Sequence, residues 1–210
     1  MKRRCLESVG SPMVQQEQEG AKEGLHPLLQ EFIDEHQVAL EKIKQFEEVV
    51  QAAKAKGMDE ERASLINEFF EFFGDYVLVH NELEERMLFP VLQRELLERN
   101  EFQEGGEKRT AVELLQSDHI KGLQLAAVSF NLFSLGLRLP DPTSRLLTID
   151  LAAEQALELT ELLKLHFTRE GDIVFPMAHE YISQQELDAI HAPQDDVSWR
   201  NKPESLDRRR

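Results

Sequence analysis

The chain has one cysteine, Cys5. That excludes an intramolecular disulfide, and it excludes an iron–sulfur cluster or a Cys-ligated zinc built from this chain alone. Such cysteine usage fits a reducing compartment, and a cytoplasmic location is expected. Long hydrophobic runs are also missing. No stretch approaches the roughly 18 apolar residues of a membrane span, so no membrane partner is expected. The basic opening Lys2-Arg3-Arg4 is followed by polar, glycine-containing sequence rather than an apolar stretch. A secretory signal is therefore not expected, and residues 1–24 read as a disordered leader. Positive charge is scarce: 24 Lys and Arg stand against 40 Asp and Glu, a formal net charge of −16. Nucleic-acid binding needs a basic face to neutralise phosphates, so no nucleic-acid partner is expected; the Arg208-Arg209-Arg210 end is too short to reverse the field. The acidity reads first as a solvated surface. Strand signals are absent as well, since no stretch alternates apolar and polar residues.

What the chain does have is helical periodicity. From Leu28, apolar residues recur at spacings of three and four: Leu29, Phe32, Ile33, Ala39, Leu40, Ile43, Phe46 and Val50, with His36 among them. Gly57 ends that helix and Asp59 is placed to cap the next. The second helix carries Ile66, Phe69, Phe73, Val77, His80, Leu83 and Glu84, and Pro90 is expected to kink or end it. Gly105-Gly106 mark a loop. Thr110 and Glu113 form a capping-box pattern that opens a third helix, which fades near Gly136. Asp141-Pro142 reads as an N-cap with proline at the first helical position of a fourth, running to about Phe175. A second capping box, Ser183 to Glu186, opens a short fifth helix. The expected fold is all-α: an antiparallel up-down-up-down four-helix bundle with a short C-terminal fifth helix over residues 25–191, and a flexible tail at 192–210. The two halves are not separate domains, because each helix pair alone would leave an apolar stripe in water.

Within this pattern one unit is written twice. His80-Asn81-Glu82-Leu83-Glu84 is followed by Phe89-Pro90; His166-Phe167-Thr168-Arg169-Glu170 is followed, at the same offset, by Phe175-Pro176. Upstream of each, at similar intervals, stands one more histidine behind an acidic residue: Glu35-His36 and Asp118-His119. Positions i and i+4 share one helix face, so His80 and Glu84 point the same way, as do His166 and Glu170. In each helix that face is also the apolar stripe. Met87 and Ile173 continue these stripes and read as an apolar roof, and Tyr76 lies one turn before His80. His26, His179 and His191 lie near helix ends and read as surface or supporting residues, not ligands.

A single core histidine is usually a hydrogen-bonded one, and a single HxxxE is a common helix pair. Two matched units, each with its partner histidine, carry more information. They send six polar side chains into one core, where an unpaired carboxylate costs on the order of several kcal/mol unless something ligates it. Four imidazoles and two carboxylates, namely His36, His80, His119, His166, Glu84 and Glu170, are a ligand set for a pair of metal ions. With no thiolate, the set suits iron, with manganese or zinc fitting less well.

The order His, HxxxE, His, HxxxE, with its tail Glu84-Glu85-Arg86-Met87-Leu88-Phe89-Pro90, resembles the hemerythrin-like HHE cation-binding domain over residues 25–191. The resemblance implies a four-helix bundle around two non-haem irons joined by an oxo or hydroxo bridge. It makes His36, His80, His119 and His166 terminal ligands and Glu84 and Glu170 bridging carboxylates. One departure matters. Oxygen-carrying hemerythrins have a fifth histidine, placed as HxxxH on the third helix, and here the positions four either side of His119 are Leu115 and Leu123. The implied count is about five ligands per iron, with a sixth position open on both. The related iron–sulfur repair proteins usually carry an N-terminal domain with paired cysteines, which this chain lacks. The implied function is to bind, sense or scavenge dioxygen, nitric oxide or peroxide. Iron storage, or iron donation for cluster repair, is the alternative, and a di-iron oxidase or peroxidase a third. No protein partner is legible.

Overall fold

The computed structural model describes residues 24–102 and 108–191. The leader, apart from its last residue, the Gly105-Gly106 loop and the C-terminal tail lie outside the described residues. Their secondary structure is helical, with no strand among the described residues, and among them no helix is long and apolar enough to cross a membrane.

The expected caps form. Helix α1 (Pro27–Lys56) starts with Pro27 and stops at Gly57, whose φ of 84° is left-handed. Asp59 Oδ1 accepts from Arg62 N at 2.9 Å to open α2 (Glu60–Phe72). Two short helices continue α2 in line, α3 (Leu78–Leu83) and α4 (Phe89–Arg99). The capping box at α5 (Ala111–Gly136) is complete: Glu113 N donates to Thr110 Oγ1 at 3.2 Å, and Thr110 N donates to Glu113 Oε2 at 2.8 Å. Asp141 caps α6 (Pro142–Arg169), which α7 (Phe175–Tyr181) extends. The Ser183–Glu186 box opens α8 (Gln184–His191). Helix α1 packs on α2, α6 and α8; α5 packs along α6 and also touches α2 and α4.

Two differences from the sequence reading share one cause. Neither Pro90 nor Pro176 ends its helix. Each is preceded by one π turn, at Glu84–Leu88 and at Glu170–Val174, closed by Phe89 N–H donating to Glu84 O and Phe175 N–H donating to Glu170 O. A proline ring clashes with the carbonyl four residues back and has no N–H to give it. The wider turn relieves that conflict with one extra residue. The extra residue shifts the helical phase beyond it, so the buried positions are Leu88 and Val174. Met87 is only partly buried and Ile173 is 52% exposed. The expected apolar roof of Met87 and Ile173 is thus corrected to Leu88 and Val174. A third π turn, Phe73–Val77, joins α2 to α3.

The buried apolar residues fall into two clusters. One holds Ala39, Ile43, Phe46, Phe69, Phe73, Val77, Leu125, Ala156, Leu159 and Leu163. The other holds Phe32, Ile33, Leu88, Phe89, Leu92, Leu115, Val174 and Phe175. Along the chain the switch comes at His36 on α1, between His80 and Glu84 on the second helical run, and at His119 on α5. On α6 it comes at His166 to Glu170. A polar layer therefore divides the core.

Candidate metal centre

Each of the four long helical runs contributes to this layer. His36 comes from α1, His80 from α3 with Glu84 opening the π turn, His119 from α5, and His166 from α6 with Glu170 opening the next π turn. The structure brings all six sequence-predicted residues together, as two four-residue sets whose donor atoms lie within 4.8 Å of one another. His36, His80, Glu84 and Glu170 form one; His119, His166, Glu84 and Glu170 form the other. The glutamates belong to both.

The distances explain how one carboxylate serves two sets. Glu170 Oε2 lies 3.2 Å from His36 Nε2, while its Oε1 lies 3.0 Å from His166 Nε2. Glu84 Oε1 lies 3.6 Å from His80 Nε2, while its Oε2 lies 3.5 Å from His119 Nε2. Each carboxylate offers one oxygen to each histidine pair. Within a pair the Nε2 atoms are 3.0 Å apart, for His36 and His80 and again for His119 and His166. Two imidazoles bound in adjacent positions of one ion, each at roughly 2.1 Å, hold their nitrogens roughly 3 Å apart.

Burial makes the arrangement costly without a cation. Glu84 and Glu170 are both 0% exposed, and all four of their carboxylate oxygens lack a hydrogen-bond donor in good geometry. Buried carboxylates are normally hydrogen-bonded or paired. The neighbouring imidazoles compensate in part. Burial disfavours the charged form of His166, but the charges of Glu170, Asp118 and Glu84 outweigh it and hold this imidazole up at about 10. Burial likewise works against the charged form of His80, and Glu84 and Glu35 outweigh it, raising its pKa. For Glu170, burial opposes ionisation, but His166 and His36 hold its carboxyl well below the usual range. Protons on the imidazoles take the part that a cation could fill. The donor set, four imidazole nitrogens and four carboxylate oxygens converging on two points, fits a pair of metal ions.

The outer nitrogens of the rings are held by residues that the sequence reading did not assign. His80 Nδ1 donates to Glu35 Oε2 at 2.8 Å, and His119 Nδ1 donates to Glu85 Oε1 at 2.9 Å. Donation from Nδ1 fixes the neutral tautomer that presents a lone pair at Nε2, as ligation requires. Asp118 Oδ2 stands 3.7 Å from His166 Nδ1, too far for a hydrogen bond, and accepts from Arg169 Nη1 at 2.7 Å. The acid-before-histidine pattern was the available signal for Glu35 and Asp118; the Glu84-Glu85 doublet was the signal for Glu85. The phenylalanines of the repeats pack on the rings as well. Phe167 and Phe175 stack on His36, with centroids at 4.3 and 5.5 Å, and Phe89 stacks on His119 at 5.7 Å.

The other candidates fall outside the site. Tyr76 is partly buried and stacks on Phe72 at 4.9 Å. Burial, with the charge of Glu35, pushes its hydroxyl up to about 12. His26 is buried rather than superficial: its Nδ1 caps α1 by accepting from Leu28 N, and its Nε2 pairs with Asp188 at 3.1 Å. His191 pairs with Glu31 at 2.9 Å, and His179 belongs to neither set. Leu115 is buried in apolar surroundings, and Leu123 is half exposed on a groove of about 520 Å³ between α2 and α5. Compared with known proteins, the chain matches no family model, no curated protein and no solved structure.

Proposed function

We propose that this chain is a non-haem di-iron protein of the hemerythrin-like HHE type. In this reading its helices form an antiparallel up-down-up-down bundle, closed by α8, around two irons. The observation that carries the proposal is the sharing of Glu84 and Glu170 between two histidine pairs, with all four carboxylate oxygens buried and without a hydrogen-bond donor in good geometry. His36 and His80 would hold one ion, His119 and His166 the other, and the two glutamates would bridge them. Bound there, two ferrous ions would supply one electron each to a small oxidant. The residues do the rest. Glu35 and Glu85 orient imidazoles through Nδ1, and the phenylalanines around His36 and His119 keep water from the ring faces. Five of the six ligands are buried and His119 is partly buried, so the site suits small molecules: dioxygen, nitric oxide or peroxide. Sensing or scavenging these is the function this arrangement supports best.

Anaerobic reconstitution with ferrous iron, followed by elemental analysis, tests the reading. Two irons per chain are expected, since all six ligands come from one chain. One iron or none at full occupancy, with helical content intact, overturns it.

A further inference from the structure

From His119 to its end, α5 carries no acid. Between Asp118 and Asp141 stand 22 residues without Asp or Glu, in a chain that has 40 of them among 210; the next longest acid-free stretch, residues 49–58, has 10. Large apolar side chains stand there instead. Ile120, Leu123, Val128, Phe130, Leu135 and Leu137 are each 41–62% exposed. At about 100° per residue they spread over the outward half of the helix, around Gln124, Ala127 and Asn131. The face continues onto α6. Leu147 and Leu151, 67% and 47% exposed, share one side of α6 with Glu158, which pairs with Lys121 of α5 at 3.1 Å. On the other flank runs the groove of about 520 Å³ between α2 and α5, lined by Phe70, Leu78, Leu123 and Ala126 among others. Gly74 stands on its wall, and a Cβ added there meets nothing within 4 Å.

At these exposures the apolar residues of the face leave roughly 800 Å² in water, more than the roughly 300–600 Å² of the largest patch on a typical monomer and about what each partner buries in a standard interface. Charge and shape decide what covers it. Two copies of a chain of net charge −16 repel wherever acid faces acid, and this is the face where that repulsion is missing. Its cations, Lys121 and Arg138, suit an acidic partner, and across the groove α2 offers Glu71. A two-fold interface must be self-complementary. Here an apolar ridge and an apolar groove lie side by side, so α5 of each copy has a seat along the groove of the other.

We propose that the outward face of α5, with Leu147 and Leu151 of α6, is the two-fold interface of a homodimer. The inference is independent of the di-metal reading, since the six clustered residues take no part in this face.

Full-length protein as purified is followed by analytical ultracentrifugation over a concentration series. A reversible dimer with a Kd of about 1 μM or tighter is expected. Leu123→Glu and Leu135→Glu, both on the face, should each raise that Kd by about 100-fold or more, the effect of an unpaired charge in a buried contact. Gln124→Glu combined with Asn131→Glu removes no apolar group, so it separates the interface from folding; like charges brought together across the two-fold should raise the Kd by about 10-fold or more. Leu97→Glu, on α4 and 49% exposed but outside the face, should leave the Kd unchanged. Circular dichroism should show wild-type helicity in every variant. Monomer alone at about 100 μM overturns the proposal, even if the face then binds anionic vesicles or another protein. So does a dimer that survives in the folded double variant, or one that is lost in Leu97→Glu.

Discussion

Glu35 is bonded in sequence to His36 yet accepts its hydrogen bond from His80 Nδ1, at 2.8 Å across a helix interface. Neighbouring residues on a helix point about 100° apart. With His36 turned into the core, Glu35 is turned toward the adjoining helix, where the back of His80 lies. Asp118 repeats the relation with His166, at 3.7 Å. Each acid-histidine doublet thus places a ligand in one direction and a charge behind another helix's ligand. Glu35→Ala should accordingly lower ferrous-iron affinity by about 10–100-fold and leave helical content unchanged. Equilibrium dialysis against a chelator of known affinity checks this. Glu31→Ala, on the same helix but paired with His191, should leave affinity at the wild-type value.

The shared glutamates should behave differently from the histidines at the periphery. Glu84→Ala and Glu170→Ala each remove a donor from both positions, so both ions should be lost or loosened together. His26→Ala and His191→Ala should retain two. Elemental analysis of each variant after reconstitution checks this. In the metal-free protein the charge of Glu84 helps to hold His80 and His166 protonated, and removing one partner of a buried charge pair typically costs about 3–5 kcal/mol. Urea denaturation of metal-free Glu84→Met should therefore give a midpoint below that of the wild type. A midpoint at or above it would mean that the imidazoles do not compensate Glu84.

Much of this was legible in the sequence. Helix starts were written in Asp59, Thr110-Glu113, Asp141-Pro142 and Ser183-Glu186, because capping is local chemistry with its own residue types. Four of the six clustered residues were legible because i,i+4 spacing fixes a shared face, and His36 and His119 because each stands behind an acid at a matched interval upstream. The roof over the site was not. Reading Met87 and Ile173 as buried assumed an unbroken period of 3.6, and the π turns at Glu84–Leu88 and Glu170–Val174 break it. Their trace was the paired Phe89-Pro90 and Phe175-Pro176, which read as helix stops until the widened turns explained how the helix passes them. The doublets Glu35-His36 and Glu84-Glu85 marked Glu35 and Glu85, but not their partners, since a side chain pointing off the stripe gives no periodic signal of what it meets on another helix.

Thr110 offers a test of the fold apart from the metal. It is fully buried, caps α5 at 3.2 Å from Glu113 N, and donates to Gln93 Oε1 on α4 at 2.6 Å. Thr110→Ala should destabilise the protein by about 1–2 kcal/mol through the lost cap. Thr110→Ser should recover most of it. The number of irons bound at saturation should not change in either. Denaturation midpoints and elemental analysis separate the two effects.

Metal loading should release protons and strengthen with pH. In the metal-free protein the His166 imidazole is held up at about 10, above its unfolded value of about 6.5. Its raised pKa therefore contributes stability that is fully present below about pH 6.5 and is lost as pH rises toward 10. An ion bound at Nε2 needs that proton removed. Metal-free protein should lose stability between pH 7 and 10, while affinity for ferrous iron rises over the same interval. Calorimetry in buffers of different ionisation enthalpy should show at least one proton released per chain near pH 7. No release would mean that His166 is already neutral there.

The reaction with dioxygen depends on which side chains are free to ligate. A carrier that returns its oxygen keeps one iron closed, which takes a further imidazole. Leu115 and Leu123 stand at the positions that could supply it, and neither binds metal. Other oxygen donors near the rings are engaged away from the centre: Glu35 accepts from His80 Nδ1 and Asp118 from Arg169. Glu85 is bonded to His119 and Gln116, and Tyr76 stacks on Phe72, outside both four-residue sets. Both ions in the proposed centre should then keep an exchangeable position. The reduced, iron-loaded protein should react with dioxygen and be oxidised rather than return the gas. Stopped-flow spectra of the anaerobic ferrous protein mixed with dissolved oxygen should show conversion to a ferric spectrum that argon does not reverse. Leu115→His offers the converse, since it places an imidazole on the buried side of α5, one turn before His119, and should slow that oxidation. A wild-type protein that gives up dioxygen under argon through repeated cycles would mean that a further ligand closes one iron, and that transport, not sensing or scavenging, is what the centre is built for.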